Sequence, residues 1–465
     1  MKQDVQSPGV TLFVVSAVQF LSPFMMSAVG VALPAIGTEF NAGAVQLGLV
    51  EMTFILAFAL VLLPAGRMAD IRGRKKVFIT GTLLFTVATL VLGLSPDMDL
   101  FIFFRFIQGS GAAMITSTSV AILSSIFPPE KRGGAMGVIV TAVYIGLSAG
   151  PTLAGFMIAH WGWRWVFFSA LPLELAALIL TFTHLKGEWK SAPGMPFDWI
   201  GSLIYMVALS ALIYGASHLS EGYIYMILLG AGILGLVLFF KYETRCASPI
   251  LDTHLLRTNR VFTMSNITTL INYSASFGVT FFLSLYLQQV RGIPPQAAGL
   301  ILVTQPVIQA LLSPISGKLA DIHPPARLSS LGMAICALAL GLCTTIGPET
   351  PMLHIYGILA VLGTGFGIFA TPNMTTIMGS VAPKHYGIAS SMVATMRNMG
   401  MLTAMTLITF ILHVFMGNAP VTAETATAYM TSMHTGFVVF TALSIVGIFC
   451  SLGRLAPRTP DSATD

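Results

Sequence analysis

Charged residues are scarce in this sequence. They make up 9% of the 465 residues, whereas 55% are hydrophobic and the mean hydropathy is +0.83. A soluble domain carries roughly 25% charged residues, so the composition argues against one and predicts an integral membrane protein. The four cysteines have no metal or disulfide spacing, no histidine pair suits a metal, and no G-x-x-x-x-G-K-[S/T] loop is present. We therefore expect no metal, nucleotide or other cofactor.

Fourteen apolar runs are long enough to cross a bilayer as helices. They cover roughly residues 9–34, 45–65, 77–95, 99–123, 133–158, 165–185, 198–217, 222–240, 261–289, 296–316, 328–346, 353–376, 387–415 and 434–453. The sequence thus predicts an all-α polytopic membrane protein.

The basic residues predict the orientation of these spans. Nineteen of the 23 lysines and arginines fall on one side, two on the other, and two, Arg105 and Arg397, inside spans. Loops rich in Lys and Arg face the cytoplasm, so we expect both termini there, in the cytoplasmic (inner) membrane. The net charge of +5 is explained in the same way, and no nucleic-acid partner is expected. The expected partners of a monomeric protein are the lipid bilayer and a small-molecule substrate.

The turn Gly66–Lys76 joins the second and third spans and holds five cations. These charges are too costly for hydrocarbon, so the turn must lie at a membrane face. Gly66 and Gly73 permit a sharp turn, and Asp70 can bond a helix N-terminus or an arginine such as Arg74. The pattern G-x-x-x-D-x-x-G-R-K-K resembles the loop between helices 2 and 3 of the major facilitator superfamily. An ordinary basic membrane anchor is the alternative.

Segments of the first half return in the second half with a shift of 251 to 254 residues. The hexapeptide 66–71 returns at 317–322, and Pro129 and Gly133 return as Pro383 and Gly387. Parallel six-helix repeats build transporters that rock about a central site. We predict six-helix bundles in residues 1–190 and 246–465, with two extra transmembrane helices and linkers in 191–245.

The fifth span carries Gly146, Gly150, Pro151 and Gly155 in one small-residue pattern. Glycines four apart permit close helix contact, and proline removes a backbone donor. The pattern resembles the G-x-x-x-G-P-x-x-G-G signature of the antiporter branches, with Ala154 in place of one glycine. Ordinary small-residue packing is the alternative.

Ionisable groups inside the first-half spans are the candidates for proton coupling. Arg105 and Gln108 share a helical face in a segment that matches the superfamily pattern R-x-x-Q-G-x-G-A-A, whose arginine is associated with proton coupling. Glu51 and Glu174 are the acids well inside spans, where a carboxylate is costly unless it is paired or protonated. The alternatives are an arginine that extends to the interface and acids with a structural role.

Motifs, spans and the two extra helices together resemble the fourteen-span drug:proton antiporter family, over nearly the whole chain. The first span departs from that family. Its acid position holds Met25 and its asparagine position holds Gly30. Either Glu51 or Glu174 takes over the missing carboxylate's role, or the preferred charge of the substrate differs.

Polar, aromatic and flexible methionine side chains of the spans suit a broad cavity for mixed apolar ligands. The candidates are Met25, Met26, Gln108, Tyr144, Asn266, Tyr273, Phe277, Gln305, Asn373 and Arg397. Ordinary packing or lipid contact is the alternative for each of them.

The combined prediction is proton-coupled export of amphiphilic drugs or related molecules by alternating access, with the proton as the coupling ion. A dedicated metabolite or siderophore exporter and a facilitative carrier without protons are the alternatives. A membrane-embedded enzyme or receptor is the rival of a different class. The sequence does not support this rival, because it shows no nucleophile constellation, no metal cluster and no soluble domain.

Overall fold

The computed structural model describes residues 8–42, 44–185, 187–217, 222–251, 253–293, 295–416 and 425–454. Every regular element within these ranges is helical, which confirms the all-α prediction. The first group of helices is α1 (Pro8–Phe40), α2 (Ala44–Arg72), α3 (Arg74–Leu94), α4 (Met98–Ile126), α5 (Pro129–Trp161), α6 (Arg164–Phe168) and α7 (Leu171–His184). Next come α8 (Trp199–Ser217) and α9 (Tyr223–Glu243).

The remaining helices form the second half. They are α10 (Thr253–Thr258), α11 (Arg260–Leu285), α12 (Pro295–Leu302), α13 (Thr304–Ile322), α14 (Pro325–Cys343), α15 (Met352–Gly379), α16 (Tyr386–Met416) and α17 (Ala426–Gly453). A π turn, Tyr286–Val290, extends α11, and a 3-10 turn, Pro383–His385, precedes α16.

Thirteen helical segments of the described chain are long and apolar enough to cross a membrane, and α8 is a shorter apolar helix. α8 packs antiparallel to α9 along its length, with Gly201 beside Glu243 at one end and Tyr214 beside Tyr225 at the other. α9 is long enough to cross the bilayer, and α8, at the seventh predicted span (residues 198–217), lies beside it. The count of fourteen spans stays a prediction.

Two predicted spans are each divided into two helices. The sixth is divided between α6, which ends at Phe168, and α7; the tenth is divided between α12, which ends at Leu302, and α13. Pro172 and Pro306 lie four residues after those ends. Because proline cannot donate to the carbonyl four residues earlier, each one interrupts its helix at that point.

The helices pack in two groups. In the first, α1 packs on α5, and α4 packs on α2 and α3; in the second, α11 packs on α16 and α17, and α15 packs on α13 and α14. The groups meet where α5 packs on α13 and where α16 packs on α2 and α4. The proposed limits at residues 190 and 245 stay a prediction.

The α8–α9 hairpin lies against the first group. Tyr205 donates a hydrogen bond of 3.0 Å to the carbonyl oxygen of Ala59 in α2. The segment after α9 is held by Arg67, whose Nη2 donates to Ser248 Oγ at 2.9 Å. Large apolar side chains of α9, including Tyr223 and Met226, are exposed, as expected for a surface that contacts lipid.

Candidate functional site

We call the end of the bundle that carries the turn Gly66–Lys76 the basic end, and the opposite end the far end. At the basic end, Asp70 forms an ion pair of 2.9 Å with Arg74 and accepts a 3.3 Å hydrogen bond from the Ile388 amide in the first turn of α16. Arg74 Nη2 also donates to the Pro383 carbonyl oxygen at 2.9 Å. The Asp70 and Arg74 side chains are buried, so this pair joins the two halves away from solvent.

The two glycines of this turn are required by their surroundings. A Cβ atom at Gly66 would overlap the hydroxyl of Ser391 in α16. Gly73 has a φ of 121°, and a Cβ atom there would overlap the carboxylate of Glu188. A larger residue would therefore separate α2 from α16 at the first position and strain the turn at the second.

The repeat reproduces the Asp70 contact with the halves exchanged. Asp321 of α13 accepts hydrogen bonds from the amides of Gly133 (2.6 Å) and Gly134 (2.9 Å) near the beginning of α5. Gly133 and Gly317 face each other so closely that a Cβ atom on either would overlap the other's carbonyl oxygen. Each aspartate thus lies where the N-terminal end of a helix dipole favours a carboxylate.

The small-residue segment of α5 packs on α1. A Cβ atom at Gly146 would overlap the carbonyl oxygen of Phe20, and Gly150 is equally close to α1. Pro151 lies inside the helix, and no atom lies within 4 Å of a Cβ atom built at Gly155. The first two glycines therefore determine the α1–α5 contact, and Gly155 does not.

The three residues proposed for proton coupling lie on one chain of hydrogen bonds inside the first half. Arg105 Nη2 lies 3.3 Å from Glu51 Oε2, and Arg105 Nη1 donates to Gln108 Oε1 at 2.9 Å. Gln108 Nε2 donates to Thr89 Oγ1 at 3.0 Å, and Thr89 Oγ1 lies 3.1 Å from Glu174 Oε1. α2, α4, α3 and α7 each supply part of this chain. Glu174 is therefore connected to Arg105 indirectly, through two uncharged side chains.

Thr89 was not among the sequence candidates, yet its hydroxyl lies between Gln108 and Glu174. Its hydroxyl lies 2.8 Å from the Phe85 carbonyl oxygen and 3.1 Å from Glu174, and it has one hydrogen to donate. That hydrogen can point to an ionised Glu174. When Glu174 is protonated, the carboxyl group can instead donate to Thr89, which then donates to Phe85. Both protonation states of Glu174 can therefore be hydrogen-bonded.

Arg105 is enclosed by protein. Its side chain is fully buried, its Nε donates to the Val50 carbonyl oxygen at 3.1 Å, and its guanidinium carbon lies 4.5 Å from the centre of the Phe54 ring. This is not the arrangement of an arginine that extends to the bilayer interface.

Glu51 faces α1 at the position where the sequence departs from the resembled family. Its Oε1 lies 4.0 Å from the place that a Cβ atom of Gly30 would occupy, and it has no hydrogen-bond partner among the described residues. The other oxygen pairs with Arg105. A side chain at residue 30 would therefore approach this carboxylate.

A central cavity of about 50 Å³ lies between the two halves. Four of the ten proposed cavity residues line it: Tyr144, Tyr273, Asn373 and Arg397. The hydroxyl groups of Tyr144 and Tyr273 are 3.1 Å apart and connect α5 to α11 across the interface. Of the hydrogen bonds found between the halves in the described chain, this one lies deepest, about 22 Å along α5 from the basic end at 1.5 Å per residue.

The other six proposed cavity residues lie elsewhere: Met25, Met26, Gln108, Asn266, Phe277 and Gln305. Met25 is fully buried in the first-half core, and Gln108 belongs to the hydrogen-bond chain. Asn266 and Gln305 bond to groups of the second half. Gln19 and Met374, a polar and a methionine side chain of the kinds expected, also line the cavity. Thr116 lines it as well, and polar character alone did not separate Thr116 from other polar residues of the spans.

Comparison with known proteins identifies relatives of this architecture. The Major Facilitator Superfamily model matches residues 15–405 and 265–464. The chain is 32% identical to the multidrug resistance protein Stp of Mycobacterium tuberculosis, over 80% of this chain and 70% of that protein. It is 26% identical to the riboflavin transporter RibZ of Clostridioides difficile, over 84% and 85% of the two chains.

A solved structure shares the arrangement of helices. The human organic anion transporter MFSD10 (TETRAN) superposes with a TM-score of 0.67 and 15% identity, covering 96% of this chain and 100% of that one. At this identity the likeness shows the fold alone.

Proposed function

The chain belongs to the major facilitator superfamily, and on that premise we propose that this transporter exports amphiphilic small molecules in exchange for protons. Family and fold place it among multi-pass membrane transporters rather than enzymes. The similarity to Stp, whose name denotes multidrug resistance, supports a drug-type substrate. We also propose that the chain is a member of the fourteen-span drug:proton antiporter family, which its motifs resemble.

The observation that carries the proposal is the chain from Glu51 through Arg105 to Glu174. Glu174 is 1% exposed, and the described residues place no cation beside it. An ionised carboxylate without a cation is costly in such a site, so proton binding and release there require a change of environment. A change in how α3, α4 and α7 pack would supply one.

The contacts at the basic end define one conformational state, closed at that end, and a bound proton can change the population of that state. Asp70 and Asp321 hold the halves together there, and the hydrogen bonds found between the halves extend only as far as Tyr144 and Tyr273. Alternating access requires a second state in which these contacts open. A proton and a substrate that favour opposite states then drive exchange by biasing one equilibrium.

The orientation is part of the proposal. Arg67, Arg72, Arg74, Lys75 and Lys76 all lie in the turn at the basic end, which we therefore place in the cytoplasm, with both termini on that side. We propose further that the protein is a monomer of the plasma membrane, with the proton as its coupling ion and no other cofactor.

A dedicated metabolite carrier is the second candidate. The riboflavin transporter RibZ matches this chain over a larger share of both proteins than Stp does, which favours a metabolite substrate. The fold and the hydrogen-bond chain serve either substrate class.

Transport into proteoliposomes with an acidic interior tests the proposal. A panel of cationic, neutral and anionic amphiphiles would include riboflavin. Proton-coupled exchange predicts that a substrate accumulates in the acidic lumen above its outside concentration, and that nigericin abolishes this accumulation. Equilibration without accumulation would identify a facilitative carrier and contradict the proposal.

A further inference from the structure

Arg397 lines the central cavity from α16 and is only half-buried. In the described part of the chain it makes no hydrogen bond or ion pair, and its contact is with the Tyr273 ring, whose centre lies 6.0 Å from the guanidinium carbon. The other arginines inside the bundle are different: Arg105 pairs with Glu51, and Arg454 donates to several oxygen atoms, including Asn373 Oδ1 at 2.6 Å. Of these three arginines, Arg397 is therefore the one whose guanidinium donates no hydrogen bond within the described chain.

The cavity wall carries no negative charge to balance this cation. Among its seventeen lining residues, Arg397 is the sole charged one. The two acids inside the first-half spans interact with other residues: Glu51 forms an ion pair with Arg105, and Glu174 is hydrogen-bonded to Thr89. A cation that faces a small enclosed space in a membrane protein is costly without an anion or water beside it.

The groups around Arg397 suit one class of ligand. Tyr144, from the first half, and Tyr273, from the second half, each present a hydroxyl group and an aromatic ring to the cavity. The remaining wall is largely apolar. A guanidinium binds a carboxylate or sulfonate through paired N–H groups, and its face stacks on aromatic rings. We infer that the preferred ligand is an aromatic amphiphile with one oxyanion group, held by Arg397, and this inference rests on the proposed function in taking the cavity as the transport site.

The ligand must also separate the halves in order to enter. The cavity of about 50 Å³ is far smaller than the roughly 300–1,000 Å³ of ligand pockets. Entry from the far end would break the hydrogen bond between Tyr144 and Tyr273 and replace it with contacts to the ligand. Because the two tyrosines belong to different halves, such a ligand would change the energy of closure as well as occupy the site.

A matched pair of dyes tests the inference by binding alone. 1-Anilinonaphthalene-8-sulfonate and N-phenyl-1-naphthylamine share one aromatic skeleton, and the first carries a sulfonate. Fluorescence titration would use purified protein in zwitterionic nanodiscs, with empty nanodiscs as background and without a pH gradient. We expect the sulfonate dye to bind more tightly. Arg397→Gln should weaken its binding by at least about tenfold and leave the neutral dye within about twofold.

Matched variants separate charge from folding. Arg397→Lys should recover part of the preference for the sulfonate dye, and Arg245→Gln, at an exposed arginine outside the cavity, should bind both dyes as the wild type does. A wild-type preference for the neutral dye, or equal loss of both dyes in Arg397→Gln, would overturn the inference. Because no proton gradient is used, failure of proton coupling would leave this result unchanged.

Discussion

Asp70 and Asp321, 251 positions apart, each accept backbone hydrogen bonds from the beginning of a helix in the opposite half. Asp70 bonds to Ile388 in α16, and Asp321 bonds to Gly133 and Gly134 in α5. The internal repeat is therefore also a repeat of the contacts that close the basic end.

Asp70→Asn and Asp321→Asn should each weaken that closure. A hydrogen bond to a charged group contributes about 1.5–3 kcal/mol, so the ratio of closed to open states should fall roughly 10- to 150-fold. Spin labels at the exposed positions Lys76 and Lys318, in opposite halves, would report the distance between them, and turnover should slow.

Asp97→Asn is the matched control for these variants. Asp97 caps α4 by accepting from the Leu100 amide at 2.8 Å, a contact within one half. Its loss should leave the label distance unchanged. Equal label distances in Asp70→Asn and the wild type would contradict the assigned role.

The glycines of α5 should differ sharply in tolerance. Gly146→Ala places a methyl group against the Phe20 carbonyl oxygen, and such overpacking costs about 1–3 kcal/mol. Gly155→Ala meets no neighbour and should be neutral or slightly stabilising. Thermal unfolding in detergent and transport assays of both variants would check this prediction. Equal unfolding temperatures and transport rates in the two variants would mean that the α1–α5 contact does not require Gly146.

Thr89 should act as a positioning residue for Glu174. Thr89→Val keeps the shape but removes the hydroxyl between Gln108 and Glu174, and the loss of a hydrogen bond of about 1 kcal/mol should shift the pH of half-maximal transport by roughly half a unit to one unit. Thr89→Ser should retain the wild-type profile. A profile unchanged in Thr89→Val would remove Thr89 from the coupling chain, whatever happens to stability.

Thiol labelling should report the orientation. Residues 218–221, where the sequence predicts an outer turn, lie outside the described residues, so Tyr223→Cys at the exposed start of α9 is the better outer site. An impermeant maleimide should label it in intact cells, whereas Cys246, near the opposite end of α9, should require permeabilised cells.

Burial, with Asp198 beside the thiol, raises the pKa of Cys246, so its labelling rate in permeabilised cells should increase with pH above neutrality. Labelling of Cys246 in intact cells at any pH would reverse the proposed orientation.

Much of the fold could be predicted because its signals are local or repeated. Apolar length indicates the spans, and the glycines and aspartate of the basic turn lie where helices meet. The divisions of the sixth and tenth spans were not predicted, although Pro172 and Pro306 mark them. Proline is tolerated in transmembrane helices, as Pro151 shows in α5, so its presence alone does not predict a break.

The site was harder to predict because it depends on contacts between distant helices. Glu51, Arg105 and Glu174 were recognisable as costly charges in spans. Their connection depends on Thr89, and a threonine in an apolar helix carries no signal of its own. The cavity candidates were chosen by chemistry without knowledge of which helix face meets the other half, and Met25 accordingly lies in a core.

Uphill transport by Glu174→Gln tests the central claim most directly. The amide has nearly the same shape as a protonated carboxyl group but cannot release a proton. The measurement is substrate accumulation in proteoliposomes with an acidic lumen, with Glu349→Gln, at an exposed acid, as the control. We predict that Glu174→Gln binds substrate without accumulating it, while the control behaves as the wild type. Accumulation by Glu174→Gln at the wild-type level would contradict the account.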